Sequence, residues 1–362
     1  MGPRKDDTTF NEARAGAQAY LDARLTKPKD APSRKPFRIP VIDLAPSFST
    51  DRDARKSVAA KIRDACEGSG FFYITSHGVP LATIDSIIRL AERFFKELTP
   101  EQKKAMHMST NNLHRGYEDS AYTSINGDVE TKEGFNWGYE EMLDPTGGDG
   151  LYCDLDGSKG GSNVWPSEKD LPGFVDVIKD YYGRTLQLAR HLFRLFALAL
   201  DLPGDYFDSM TTHPGGISRL LYYPPSKTPK PLSAENTEEE IGLGAHSDYE
   251  CFTLLLSSSS PGLEILSPDG YWTEAPPLEG SYIVNIADFM MRWTNDRFKS
   301  TVHRVVNRTK DERYSVPFFF SINYDQTVET LPSCISDERP SKYPPIKAGE
   351  YILERLNSSL QY

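Results

Sequence analysis

The order of helix-like and strand-like segments restricts the fold of this chain more than any other feature of its sequence. Three segments in the first 210 residues have the apolar spacing of helices: 51–70, 81–97 and roughly 173–201. From residue 216 the pattern changes to short β-type runs at close spacing, among them ISRLLYYPP, GAHSDYECFTLLLSS, SYIVNIADFMMRWTND, STVHRVVNR and RYSVPFFFSIN. Helices followed by strands, without βαβ alternation, predict an α+β protein built around an all-β barrel.

The same patterns divide the 362 residues into three parts. Residues 1–36 form an N-terminal extension, in which 11–25 has a helical composition and 26–36 contains three prolines and four Lys or Arg residues. Residues 37–210 are predicted to be mostly helical and to contain the first strands. Residues 211–362 are predicted to hold the β-rich core and a C-terminal helix.

Charge and cysteine content exclude several classes of partner. The formal net charge is −11 and the isoelectric point about 5.2, so the surface repels phosphate backbones and no nucleic-acid partner is expected. The four cysteines form no CxxC pair, the first residues lack the apolar stretch of a signal peptide, and no apolar run is long enough for a membrane span. These features predict a protein of the reducing cytoplasm. They carry no signal of its oligomeric state.

A candidate metal site begins with His246 and Asp248, which are separated by one residue in a β-type run. Side chains two positions apart on a strand share one face and lie roughly 6–7 Å apart. Alone, such a pair is more often a histidine and an aspartate on a solvated strand than a metal site. His303 follows 57 residues later, flanked by valines. Two histidines and one carboxylate are the ligand set of non-haem Fe(II) oxygenases, which leaves other coordination positions open.

A second pair with the same spacing, Arg313 and Ser315 in RYS, follows His303 by ten residues. A guanidinium beside a hydroxyl can hold a carboxylate through paired N–H···O bonds. This pair could therefore bind the far end of a dicarboxylate whose near end chelates iron. In isolation, an RxS pattern is more often a surface arginine in an ion pair.

Several ordered motifs between residues 38 and 356 resemble one known family, the Fe(II)- and 2-oxoglutarate-dependent oxygenases of the isopenicillin N synthase-like type. They include IPVIDL, ACEGSGFFYITSHGVP, LLYYP, HSD, PGLEIL, VNIADFMMRWTND, STVHRVV and RYS. The stretch from HSDY to KSTVHRVVN is especially similar to microbial members such as fungal thymine hydroxylase. The resemblance implies a double-stranded β-helix (jelly-roll) core flanked by helices.

The resemblance also assigns roles to six residues. It makes His246, Asp248 and His303 the Fe(II) ligands, and it implies that 2-oxoglutarate is held by Arg313, Ser315 and Tyr223. O2 would be the further co-substrate, with ascorbate as the reductant in assays.

Two positions refine this assignment. Many relatives have Asn-Tyr-Tyr-Pro where this chain has LYYP, so Leu221 replaces an asparagine that helps to position the co-substrate. The carboxylate of Asp248 is present, which argues against halogenases, in which a halide takes its place.

The implied reaction is oxidation of a small organic molecule in specialised metabolism, by hydroxylation, desaturation or ring rearrangement, with release of succinate and CO2. A nucleobase-type hydroxylase is one alternative. Another is an oxidase of the isopenicillin N synthase type, which uses the same triad without 2-oxoglutarate. A third is a catalytically silent ligand-binding protein on the same barrel. We expect Phe319, Tyr117, Arg115 and Asn136 to contact substrate, although Phe319 could equally be a core aromatic residue.

Overall fold

The structure is a computed structural model that describes residues 37–110, 113, 115–120, 130–159, 163–229 and 239–359. The predicted N-terminal extension, residues 1–36, lies outside the described residues. Within the described part of the chain, no helix is long and apolar enough to cross a membrane.

Helices cover one side of the molecule, and local signals define several of their ends. Asp51 caps the first helix by accepting a hydrogen bond from the Asp53 amide, and Thr99 and Gln102 form a reciprocal capping box on the third. The predicted helices over 51–70, 81–97 and 173–201 are all present, shifted by at most two residues at either end. The α-helices are α1 Arg52–Gly68, α2 Leu81–Glu97, α3 Pro100–Ala105, α4 Phe174–Ala199, α5 Asp288–Trp293 and α6 Ala348–Ser359.

Fourteen strands in the described residues form three sheets. The strands are β1 Val41–Asp43, β2 Phe71–Thr75, β3 Gly116–Glu118, β4 Glu133–Gly138, β5 Ile217–Tyr223, β6 Glu240–His246, β7 Phe252–Ser257, β8 Leu263–Leu266, β9 Trp272–Glu274, β10 Tyr282–Ile286, β11 His303–Asn307, β12 Arg313–Phe320, β13 Thr327–Val328 and β14 Ile346–Lys347. The large sheet has the order β1-β2-β10-β7-β12-β5-β4-β3, the second has β6-β11-β8-β9, and β13 pairs with β14. Strands from both sides of residue 210 thus share the large sheet.

The two faces of the large sheet have different partners, because successive side chains on a strand alternate. On one face Val316, Phe318 and Phe320 of β12 join a large apolar cluster with helices α1, α2 and α4. On the other face Leu221 and Tyr223 pack against residues of the four-stranded sheet in a smaller cluster. The result is a sandwich of two sheets with helices outside one of them.

The predicted α+β fold with a jelly-roll core flanked by helices is confirmed. One local prediction is wrong. Strand β6 ends at His246, so Asp248 does not share a strand with it; Asp248 lies in the turn before β7. The backbone carbonyl of Asp248 accepts a hydrogen bond from the Asp288 amide rather than from a neighbouring strand, which ends the ladder at this point.

Candidate metal and co-substrate site

A cavity of about 200 Å³ lies between the two sheets. Strands β5 and β12 contribute alternate residues to its wall from the large sheet, and β6, β8 and β11 contribute residues from the smaller sheet. Ile352 and Leu356 of the C-terminal helix α6 line it as well. The cavity therefore contains both groups of residues that the sequence singles out, His246, Asp248 and His303 on one wall and Arg313 and Ser315 on the other.

Three side chains converge at one end of this cavity. Antiparallel pairing places His303 at the start of β11 opposite His246 at the end of β6, with ring centroids 4.3 Å apart. The Oδ1 atom of Asp248 lies 3.5 Å from Nε2 of His246 and 3.6 Å from Nε2 of His303. The three donor atoms lie within 4.8 Å of one another, close enough for one metal ion to contact all of them.

Backbone carbonyls fix which nitrogen of each imidazole faces the metal position. Nδ1 of His246 lies 2.8 Å from the Gly244 carbonyl oxygen, and Nδ1 of His303 lies 3.2 Å from that of Thr301. A carbonyl can only accept, so Nδ1 is the protonated nitrogen and Nε2 has a free lone pair. This is the usual arrangement around metal-binding histidines.

Two buried side chains orient the carboxylate of Asp248. Its Oδ2 atom accepts hydrogen bonds from Oγ1 of Thr253 (2.5 Å) and from Nδ2 of Asn285 (2.6 Å). Oδ2 is thereby occupied, and Oδ1 is directed toward the two imidazoles. The carboxylate is thus arranged to donate through one oxygen.

Burial and mutual proximity shift the pKa values of the triad. Burial alone would raise the pKa of Asp248, but its electrostatic interactions with the neighbouring imidazoles of His303 and His246 hold it well below its usual range. Burial lowers the pKa of His303 to about 4, with the charge of His246 adding to the effect. Burial also lowers the pKa of His246, but Asp248 outweighs this and leaves it above its ordinary value. An ionised carboxylate beside a neutral His303 is the donor state that a divalent cation requires.

Arg313 lies across the cavity from the triad and is 4 % exposed. Its Nη1 donates to the Ser315 hydroxyl (3.2 Å), its Nη2 donates to the Ser257 hydroxyl (2.9 Å), and its guanidinium lies 4.8 Å from the centre of the Tyr223 ring. Nε is buried without a hydrogen-bond partner, and no carboxylate of the described residues pairs with this cation. Burial accordingly lowers the pKa of Arg313. A ligand carboxylate would supply the missing negative charge.

Strand register arranges the cavity wall in successive rows. Arg313 pairs with Tyr223, and Ser315 pairs with Leu221, so the carboxylate-binding residues occupy two adjacent rows of β12 and β5. Leu221 is 3 % exposed and lines the cavity beside Ser315. It places an apolar side chain where many relatives have an amide. Farther along the same wall, Phe319 of β12 pairs with Thr253 of β7, close to the triad.

A chain of charged residues forms the cavity wall next to these rows. Arg219 donates from Nε to the Asn136 amide oxygen (2.7 Å) and also bonds to Glu118. Glu118 accepts from Lys132 (2.6 Å), which also lies 3.2 Å from Glu130. Asn136 and Phe319, both expected to contact substrate, therefore line the cavity.

Arg115 and Tyr117, which the sequence predicted to contact substrate, are not among the described residues that line the cavity. Arg115 is buried in a separate network, where it bonds to Asp154 (2.5 Å) and to the Asn163 amide oxygen (2.9 Å). The hydroxyl of Tyr117 donates to Glu133 (2.5 Å), outside the cavity. Arg115 thus holds the loop segments that contain Asp154 and Asn163 against the sheet, and Tyr117 links strands β3 and β4. A buried charge or hydroxyl requires a partner, and these partners lie away from the cavity.

Residues that the sequence did not single out complete the site. Ser257, Thr253 and Asn285 hold Arg313 and Asp248, although nothing in their local sequence marks them as polar groups facing a cavity. Period-two spacing along β5 could have indicated Arg219, which lies four residues before Tyr223. Outside the cavity lining, Arg355 of the C-terminal helix bonds to Asp288 (2.9 Å), and its guanidinium lies 4.7 Å from the centre of the Tyr249 ring.

Comparison with known proteins agrees with this geometry. The 2OG-Fe(II) oxygenase superfamily model matches residues 214–322, and the model for the N-terminal part of non-haem dioxygenases, described from morphine synthesis, matches residues 39–168. A 2-oxoglutarate-Fe(II) type oxidoreductase of Emericella nidulans, hxnY, is 37% identical over 323 residues, which are 88% of this chain and 89% of that protein. A similar oxidoreductase of Metarhizium majus, ppzC, is 35% identical over 89% of this chain and 88% of its own length.

Solved structures give the same assignment. Thymine hydroxylase of Neurospora crassa, in complex with alpha-KG and thymine, superimposes with a TM-score of 0.77 at 28% identity, covering 91% of this chain and 99% of that one. The chain therefore belongs to the 2OG-Fe(II) oxygenase superfamily. It is a dioxygenase of that family, with Fe(II), 2-oxoglutarate and O2 as its cofactor and co-substrates. The two histidines and one carboxylate suit Fe(II), and the unpaired Arg313 suits the free carboxylate of 2-oxoglutarate.

Proposed function

We propose that His246, Asp248 and His303 hold Fe(II) through Nε2, Oδ1 and Nε2. We further propose that Arg313, with Ser315, holds the C5 carboxylate of 2-oxoglutarate. Support comes from the short distances among the three donor atoms and from the buried guanidinium across the same cavity.

The remaining side chains of the site act by orienting and by excluding water. Thr253 and Asn285 hold Asp248 so that one oxygen faces the metal position, and Ser257 and Tyr223 fix the plane of the Arg313 guanidinium. When bound, Fe(II) and 2-oxoglutarate activate O2, with release of succinate and CO2 and oxidation of a substrate C–H bond. The apolar wall that contains Leu221 keeps water from the reacting centre.

The substrate is a small organic molecule, as in the rest of the family. We place it at the end of the cavity that contains Phe319, Asn136 and Arg219, because the rows around Arg313 are needed by the co-substrate. An aromatic ring beside hydrogen-bonding groups favours a compact molecule of specialised metabolism. A nucleobase-type substrate is the second candidate, supported by the similarity to a thymine-bound structure.

The proposed setting is the cytoplasm, without a nucleic-acid partner. All four cysteines, which lie in the described residues, are free, as expected in a reducing compartment. The net charge of −11 disfavours binding to nucleic acid.

The observation that carries this proposal is the buried, unpaired Arg313 facing the triad. The test is O2-dependent formation of succinate from 2-oxoglutarate with Fe(II) and ascorbate, first without substrate and then with a panel of small molecules. We expect His246→Ala to abolish succinate formation. Arg313→Ala should raise KM for 2-oxoglutarate about tenfold to a hundredfold, the effect of losing a charge-assisted pair.

Arg194→Ala is the matched control, because Arg194 forms an exposed ion pair with Asp208 outside the cavity. It should leave KM unchanged. Iron-loaded protein that consumes O2 but forms no succinate would contradict the proposal and favour an oxidase of the isopenicillin N synthase type. If the wild-type protein neither consumes O2 nor binds iron, the result would favour a ligand-binding protein without catalytic activity.

A further inference from the structure

Strand β6 is irregular directly before His246, the proposed metal ligand. His303 and Val305 of β11 are two positions apart, whereas their partners on β6, His246 and Leu243, are three positions apart. This interval is a β-bulge, in which one extra residue bends the strand and is left out of the hydrogen-bond ladder. Bulges beside active sites often serve to redirect a side chain. The orientation of His246 therefore depends on the groups that hold this bulge in place.

A carboxylate from a distant part of the chain holds the bulge. The Gly244 amide donates to Oε1 of Glu130 (3.0 Å), which lies 114 positions earlier. The Gly244 carbonyl oxygen in turn accepts from Nδ1 of His246 (2.8 Å). Gly244 is buried, and a buried amide without an acceptor costs about 1–3 kcal/mol. Glu130 thus fixes the backbone residue to which the His246 ring is bonded.

The two residues after Glu130 reinforce this contact. Oγ1 of Thr131 bonds to the Ile241 carbonyl oxygen (3.4 Å) and accepts from Nδ2 of Asn307 (2.9 Å), which links β6 to β11. Lys132 lies 3.2 Å from Oε2 of Glu130, so the two carboxylate oxygens have separate partners. Glu130 is 2 % exposed and is not among the described residues that line the cavity. Any effect of Glu130 on a bound metal ion must therefore pass through β6.

From this geometry we infer that Glu130 is a positioning residue for the metal site, because its carboxylate holds the bulge of β6 and thereby directs Nε2 of His246 toward the metal position. The inference rests on the proposed function, since it takes His246 as a ligand of Fe(II). Groups that orient a metal ligand usually contribute about tenfold to a hundredfold to metal affinity. The role requires an acceptor oxygen at the Gly244 amide and does not require a charge.

The test is the metal affinity of the full chain, measured by anaerobic competition with a chelator, with Fe(II) and Mn(II) as probes. Glu130→Gln keeps an acceptor oxygen for Gly244 and should bind metal within about threefold of the wild-type affinity. The double variant Glu130→Leu, Lys132→Met removes the acceptor and replaces a buried ion pair by apolar groups of similar size, which often preserves the fold. Glu118 keeps its ion pair with Arg219 in this variant. Its metal affinity should fall about tenfold to a hundredfold.

A matched control separates positioning from general stability. Asp154 forms a buried ion pair with Arg115 (2.5 Å), and neither residue is among those described as lining the cavity. Asp154→Asn should lower the midpoint of thermal unfolding and leave the metal affinity within about twofold of wild type. If Glu130 only stabilised the fold, its double variant would likewise keep the wild-type metal affinity.

The protons on the two imidazoles give a second readout, which does not depend on affinity. In protein with 15N-labelled histidine and Zn(II) in place of Fe(II), NMR follows the exchange of each Nδ1 proton with water. Nδ1 of His303 lies 3.2 Å from the Thr301 carbonyl oxygen and serves as the internal reference. In the double variant, the Nδ1 proton of His246 should exchange about tenfold faster, while that of His303 is unchanged.

Three results would overturn the inference: a metal affinity within about threefold of wild type in the double variant, equal acceleration of exchange at both histidines, or an equally large loss of affinity in Glu130→Gln. The last result would assign the effect to the charge of Glu130. The proposed function is judged separately, by His246→Ala. If that variant binds metal as tightly as the wild-type protein, the proposed function fails. If His246→Ala loses the metal but the double variant at Glu130 keeps it, the role of Glu130 alone is refuted.

Discussion

Removal of the hydroxyl that orients Asp248 should weaken metal binding more than it weakens the fold. Thr253→Val replaces Oγ1 by a methyl group of similar size, so packing at this buried position is nearly preserved. The Oδ2 atom of Asp248 then keeps a single hydrogen bond, from Asn285. A hydrogen bond to a charged group contributes about 1.5–3 kcal/mol.

That free energy sets the size of the expected effect. About 1.5–3 kcal/mol corresponds to a loss of about tenfold to a hundredfold in metal affinity, which is also the usual cost of removing a group that orients a metal ligand. Thr253→Ser retains the hydroxyl and should restore most of the affinity. The double variant Thr253→Val, Asn285→Ala should show a larger loss, because Asp248 then has no group holding Oδ2.

The affinity is measured by competition between the protein and a metal chelator under anaerobic conditions, with Mn(II) as a second, redox-stable probe. Ser315→Ala is the matched control, because Ser315 lies in the same cavity, contacts Arg313 and does not contact the triad. Ser315→Ala should leave the metal affinity unchanged and lower the affinity for 2-oxoglutarate. A loss of less than threefold in Thr253→Val would refute the idea that Oδ2 must be held for Oδ1 to bind the metal.

Three further perturbations test other parts of the structure. Leu221→Asn should lower the free energy of unfolding by about 1–3 kcal/mol in the absence of 2-oxoglutarate, because it buries an unpaired amide. Added 2-oxoglutarate should restore the stability. Equal thermal destabilisation with and without the co-substrate would contradict this. Arg355→Ala removes the ion pair with Asp288 and should speed hydrogen exchange of helix α6 about fivefold, the factor given by about 1 kcal/mol; unchanged exchange would show that apolar packing alone holds the helix. Burial alone would raise the pKa of Asp144, but the ion pair with Arg190 holds it below its usual value. The Asp144 carboxylate therefore stabilises the fold at pH values above its pKa in the unfolded chain. This contribution is lost as the pH falls through its pKa in the folded protein. Asp144→Asn should therefore cost about 3 kcal/mol at neutral pH and flatten the acid side of the stability profile, measured by urea unfolding across pH; an unchanged acid slope would count against the pair.

Short-range patterns were sufficient to predict much of the fold and the centre of the site. Helices α1, α2 and α4 could be located because their apolar positions recur with helical spacing. Arg313 and Ser315 could be placed on one face because a strand has a period of two, and the structure shows their side chains in contact. Ordered motifs then identified the family, because each motif combines several residues whose order along the chain is itself specific.

At two positions the deciding contact lies outside the local sequence pattern. His246 and Asp248 converge, but a turn rather than strand periodicity brings Asp248 to the metal position, since its backbone carbonyl accepts from Asp288. Arg115 was expected to face substrate, whereas Asp154 and Asn163 draw it into a separate buried network.

The sequence by itself determined the elements, the family and the residues that can bind a metal and a carboxylate, because these depend on residue types and on spacings of a few positions. Tertiary structure decided which polar groups share the cavity. Glu118 and Arg219 are 101 positions apart, and Glu250 meets Tyr324 across 74 positions. Such distant partners decide whether a buried charge is neutralised within the protein or is left to bind a ligand. The reason is that a charge buried without a partner costs several kcal/mol of folding free energy.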